Sequence, residues 1–203
     1  MLTKNHPSKQ FITLLLAGLL LTFAIAILAF HNNWWFASEP FHSTIETIGA
    51  FTAIVMGILL MRSYHWSFLN TVTLSAAFIG MGLGDLLHSI VHVGQAFVFL
   101  KSIANLIGGI GFALIWLPAP HRSIQNSALP LYAVVTLMLV FGAWAIAFEE
   151  TLPLMISNGS FTPFAIGMNI VSGTLFTLAT LRFIMVFRSN GELTLLAFTL
   201  TAI

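Results

Sequence analysis

The sequence predicts an all-α integral membrane protein, a polytopic helical bundle with six complete spans and the start of a seventh. Three observations carry that expectation. Hydrophobic residues make up 58% of the chain and charged residues only 6%, against about 25% charged in an average soluble domain. The apolar residues gather into runs of about 20, the length that crosses a hydrocarbon core of about 30 Å as a helix. No long segment alternates apolar and polar residues as barrel strands do, so the spans are helical.

In chain order, a polar, basic start precedes Phe11 to Phe30, a nearly uncharged run long enough to span. A signal peptide is the competing reading, but secretory apolar regions usually run only about 7 to 15 residues. The connector His31 to Phe41 carries Trp34 and Trp35, which suit an interfacial belt, and Pro40 just ahead of a helix. A second span is expected from His42 to Met61, closed by Arg62. The third runs from Ser67 into the stretch Gly80 to Gln95, and the fourth, Phe97 to Leu117, ends at Pro118 and Pro120. A polar loop, His121 to Ser127, leads to a fifth from Leu129 to Phe148.

An acidic loop with Pro153 and Asn158-Gly159 follows. The sixth span then covers Phe161 to Phe187, with Arg182 placed to snorkel towards the headgroups. Its small, polar stripe of Asn169, Ser172, Gly173 and Thr177 reads as helix packing. The last run, Leu193 to Ile203, is too short to cross alone. The sequence is therefore expected to stop inside a span, as a truncated form or fragment of a longer polypeptide. An eighth span would return that polypeptide to the cytoplasm.

If the spans alternate, Lys4, Lys9, Arg62, Arg122, Arg182 and Arg188 share one side, and Glu39, Glu149 and Glu150 share the other. Basic residues mark the cytoplasmic side, so the N terminus is expected inside. Lys101 is the exception, near the outer start of the fourth span. With no cysteine in the chain, disulfides, Fe–S clusters and thiolate metal sites are excluded. A net charge of +1 without a large basic cluster argues against a nucleic-acid surface. There is no phosphate loop, G-x-S-x-G or H-E-x-x-H motif.

Polar groups converge at one depth. Asp85, His88 and His92 follow i,i+3 and i,i+4 spacing, so a continuous helix puts them on roughly one face. His42 and Glu46 form a second i,i+4 pair at the outer end of the second span. Alternating topology brings these five to one level, beside Lys101 and Asn105 of the fourth span. Gly80 and Gly84, a G-x-x-x-G on the face of His88, let another helix approach closely.

A carboxylate beside hydrocarbon must be paired, protonated or bound to a cation. Lys101, protonated histidines or a metal ion are the available neutralisers. His42, Glu46, Asp85, His88 and His92 are ligands that suit a divalent transition metal such as Zn, Fe or Cu. Lys101 and Asn105 complete the expected ligand-binding set. Taken singly, each candidate metal ligand also has a structural explanation: His42 as an interfacial residue, Glu46 at a positive helix N terminus, Asp85 in an ion pair with Lys101, and His88 with His92 as unligated interfacial histidines.

The segments FHSTIETIGAF, GMGLGDLLHSI and GQAFVFLKSIANLIGGIGFALIWLP resemble the multi-span N-terminal input domains of bacterial sensor histidine kinases and diguanylate cyclases, the membrane-associated sensor (MASE) class. H-x-x-x-E and D-x-x-H are the specific elements, and the resemblance covers about residues 41 to 118. It implies a bacterial inner-membrane sensor domain followed by a cytoplasmic kinase or cyclase module, with dimerisation through the parent protein. It also implies His42, Glu46, Asp85 and His88 as the sensing constellation; His92 joins them by helical spacing alone. Two other functions fit the residue types. One is a membrane metallohydrolase of the ceramidase and adiponectin-receptor kind, and the other a haem protein using His42 and His88. A quinone is a further candidate ligand.

Overall fold

Long apolar runs bounded by proline, glycine and charge fold as helices because in hydrocarbon each backbone N–H must find its carbonyl within the same segment. A computed structural model of the chain describes residues 39–62, 71–117 and 128–190, together with the single positions 17, 20, 24 and 27. Its helices are α1 (Glu39–Arg62), α2 (Thr71–Ser89), α3 (Gln95–Ala113), α4 (Leu129–Ala147) and α5 (Pro163–Asn190). A 3-10 turn, Leu114–Trp116, extends α3, and a second, Glu149–Thr151, follows α4. Between that turn and α5 lies a two-stranded antiparallel hairpin, β1 (Ile156–Ser157) and β2 (Ser160–Phe161). Its turn is Asn158-Gly159, both at positive φ, the pairing that a type I′ turn requires.

Among the described residues, five helices are long and apolar enough to cross a membrane. That matches the expected second to sixth spans to within a few residues and makes the chain a helical, multi-pass membrane protein in character. Of the expected first span only Ala17, Leu20, Ala24 and Ile27 fall inside the described residues, and they are helical and exposed. The final run Leu193 to Ile203 lies outside them, as do Lys4, Lys9, Trp34, Trp35 and Arg122.

α2 and α3 form the centre and are mostly buried, whereas α1, α4 and α5 lie around them with largely exposed apolar faces. Ile48, Phe51, Leu139, Val140, Ile170 and Leu181 are such outward residues. Water would oppose that much exposed hydrocarbon, but lipid tails do not. Packing between helices therefore relies on close fit. α1 runs antiparallel to α2 and crosses at Gly82, where an added Cβ would stand 2.6 Å from the Ala50 carbonyl oxygen. Gly84 admits the Ala104 methyl of α3 and Gly80 faces Val134 of α4 and Ile107 of α3.

The expected G-x-x-x-G thus does bring helices together, but they are α3 and α4. The partner carrying His42 and Glu46 approaches over Gly82, on the opposite side of α2. The small stripe of α5 is divided similarly. Ser172 is buried against Gly109 of α3 and Asn169 reaches Ser102, while Gly173 and Thr177 face away. At the end of the bundle bearing Arg62, the Arg182 guanidinium lies 5.3 Å from the Trp116 ring centroid, a cation–π contact that holds its charge beside the helix bundle.

Candidate metal centre

The opposite end of the bundle is built by the start of α1, the end of α2, the start of α3 and the loop before α5. α2 stops at Ser89, whose hydroxyl donates back to the Leu86 carbonyl at 2.8 Å. Residues 90–94 turn the chain, and Gly94 in extended conformation opens α3. The helix expected to continue through His92 therefore ends one turn early. His92 leaves the face of Asp85 and His88 and is exposed, lining a separate small cavity of about 240 Å³.

Gln95 ties the α4–α5 loop to α3. Its carbonyl oxygen accepts from the backbone N–H groups of Met155 (2.6 Å) and Ile156 (3.0 Å), and its amide donates to the Ile156 carbonyl (2.7 Å). A Glu149 carboxylate oxygen accepts from the Ala96 N–H at 3.2 Å, meeting one of the unpaired donors at the start of α3. Thr162 caps α5 by accepting from the Ala165 N–H. These contacts fix the first turn of α3, and with it Phe97 and Lys101.

Glu46 stands at the centre of the cluster. One of its oxygens, Oε2, lies 2.8 Å from His88 Nε2 and 3.2 Å from His42 Nε2. The other, Oε1, is 3.3 Å from the Lys101 ammonium, which also donates to Asp85 Oδ1 at 2.8 Å. The ligand atoms of His42, Glu46 and His88 all lie within 4.8 Å of one another, and this group could hold a metal ion. Asp85 belongs instead to the Lys101 ion pair. Asn105, one turn further along α3, is half-buried and does not line the cleft beside the cluster.

Donor and acceptor roles around His88 follow from its second nitrogen. Nδ1 lies 2.6 Å from the Phe97 carbonyl oxygen, and because a carbonyl only accepts, Nδ1 carries the proton. In the neutral ring Nε2 is then a bare lone pair, set 2.8 Å from a carboxylate oxygen that is also an acceptor. Glu46 Oε2 is buried and has no hydrogen-bond partner among the described residues. Two acceptors in contact need a cation between them, either a proton or a metal ion.

Charge leads to the same requirement. Glu46 and Asp85 bring two negative charges and Lys101 one positive, which leaves one negative charge uncompensated when the histidines are neutral. With metal–ligand bonds of about 2.1 Å, the two contacts to Oε2 correspond to ligand–metal–ligand angles of about 80 to 100°, narrower than the tetrahedral arrangement zinc prefers, so the side chains would spread slightly around an ion. The His88 Nδ1–H···O=C bond is the kind of outer contact that fixes a ligating imidazole. His88 is 2% exposed and packed against the Phe97 ring, while His42 is 44% exposed at the cleft.

That cleft, of about 620 Å³, opens between α1, α3 and α5, and His42, Glu46, His88 and Lys101 are among the residues that line it. Phe97 is the residue that sequence reasoning passed over. It contributes a carbonyl through its backbone, and that signal has no side-chain signature. Comparison with protein-family models, curated proteins and solved structures gives no match, so the chemistry of the site rests on its own geometry.

Proposed function

We propose that this chain is the signal-input part of a bacterial inner-membrane sensor of the MASE kind, and that His42, Glu46 and His88 bind a divalent transition metal near the outer membrane boundary. The observation that carries the reading is the Glu46 oxygen held against two imidazole nitrogens from different helices. His42 and Glu46 come from α1 and His88 from α2, so ligation changes how firmly one helix is held against the other. A ligand that binds one helix arrangement better shifts the population towards it. In this reading the parent protein has eight spans with its N terminus in the cytoplasm. Movement at the end of α1 bearing Arg62 then reaches a cytoplasmic kinase or cyclase.

A small ion suits the site better than haem, because the Glu46 oxygen already lies against both imidazole nitrogens, where a porphyrin plane would have to fit. The test is elemental analysis and a visible spectrum of the protein purified in lipid nanodiscs. About one zinc, iron or copper per chain without a Soret band supports the metal site; a Soret band or absence of any metal after reconstitution sinks it. The relay is read by spin labels at Met61→Cys and Met185→Cys. The chain has no native cysteine and both methionines are exposed, so labelling is specific. An unchanged distance distribution on metal addition removes the relay.

A further inference from the structure

Three protein donors leave a metal ion at this position short of the four ligands that a tetrahedral site takes. All three line the cleft, so the open position faces it. From there the cleft is walled by Phe97, Val98, Phe161, Ala165, Ile166 and Ile170. Its size, about 620 Å³, falls in the range of pockets that enclose a small ligand, about 300 to 1,000 Å³. Ile166 and Ile170 are 48% and 63% exposed on the outer surface of α5, which makes the mouth reachable from the bilayer.

The sign of the local charge selects the head group. Without a metal the cluster carries one net negative charge, and an anionic head is repelled. A divalent ion turns that into one net positive charge, with the Lys101 ammonium, 38% exposed, also lining the cleft. We infer that the metal-loaded site takes a single-chain carboxylate amphiphile, of the fatty-acid class, with its carboxylate on the open metal position and its chain along the apolar cleft. Metal and amphiphile then bind cooperatively, each raising the affinity for the other by the same factor. This inference rests on the proposed metal site and adds the ligand that the site takes.

Cobalt(II) in place of zinc makes the coordination visible in the d–d bands of the protein in phosphatidylcholine nanodiscs. Dodecanoate is expected to change those bands and to tighten cobalt binding at least 10-fold, while methyl dodecanoate and acetate at equal concentration leave both unchanged. Ile166→Trp, which fills the cleft, is expected to weaken the dodecanoate response at least 10-fold and to leave cobalt binding in the absence of dodecanoate as in the parent protein. Ile170→Trp gives the same readout if the first variant does not fold. Cobalt binding with bands indifferent to dodecanoate, or an equal response to acetate, overturns the amphiphile and leaves the metal site standing. Failure of both cobalt and zinc to bind overturns the metal site and the amphiphile together.

Discussion

Replacing Glu46 by glutamine separates a metal ion from a proton at the centre of the site, because the two make opposite demands on the carboxylate. If His88 is neutral in the metal-free protein, its Nε2 lone pair faces Glu46 Oε2 at 2.8 Å. Glutamine can turn its amide towards that lone pair and make a hydrogen bond worth about 0.5 to 1.5 kcal/mol net. Against this stands the lost contact between Oε1 and the partly exposed Lys101, worth about 0 to 1 kcal/mol. The metal-free variant should therefore lie within about 1 kcal/mol of the parent protein.

Zinc at 100 times its dissociation constant stabilises the parent by about 2.7 kcal/mol. At about 2 to 4 °C per kcal/mol for a chain of this size, that is a rise in Tm of about 5 to 11 °C. Glu46→Gln should lose the rise, since an amide is a poor substitute for an anionic ligand. The assay is thermal unfolding in nanodiscs with and without zinc. A zinc-dependent rise retained in Glu46→Gln would falsify the metal site. A fall of about 3 to 5 kcal/mol in the metal-free variant is the signature of breaking a buried ion pair, and would show that Glu46 is balanced by a protonated histidine instead.

Other perturbations separate ligand from scaffold. His42→Ala and His88→Ala should both lose zinc binding by isothermal titration, yet only His88→Ala should lower the metal-free stability, by about 1 to 3 kcal/mol, because it empties the space of a buried ring and removes that ring's hydrogen bond to the Phe97 carbonyl; equal destabilisation by both would contradict the assignment. Gly82→Leu should push α1 off α2 and weaken zinc binding at least 10-fold, whereas Gly49→Leu, with open space around its Cβ position, should leave binding unchanged; similar behaviour of the two would remove the argument for close approach. Gln95→Leu breaks three hydrogen bonds to the α4–α5 loop and should speed amide exchange at Met155 and Ile156 while zinc affinity stays within a few-fold; unchanged exchange would show that the loop is held by other contacts.

Composition and periodicity determined the helical membrane class, and the second to sixth expected spans appear as helices because runs of about 20 apolar residues have few other ways to satisfy their backbone in lipid. The meeting of His42 and Glu46 with His88 was legible too, since alternating spans put the ends of α1 and α2 at one level. Sequence could not separate Asp85 from the ligand group. Its capture by Lys101 depends on where α3 lies, and that depends on Ala104 entering the space above Gly84.

Helical spacing also placed His92 with Asp85 and His88, a grouping that holds only while the helix continues. Whether α2 ends at Ser89 is settled by local backbone bonding, in which the Ser89 hydroxyl competes for the Leu86 carbonyl. Nor could the chain reveal which nitrogen of His88 bears a proton, because the partner is a backbone carbonyl, common to every residue and informative only through its position. The sequence by itself determined which groups reach the same end of the helix bundle. The tertiary structure decided which of them face one another, because hydrogen bonds and ligation depend on ångström-scale distances between helices that adjacency along the chain does not fix.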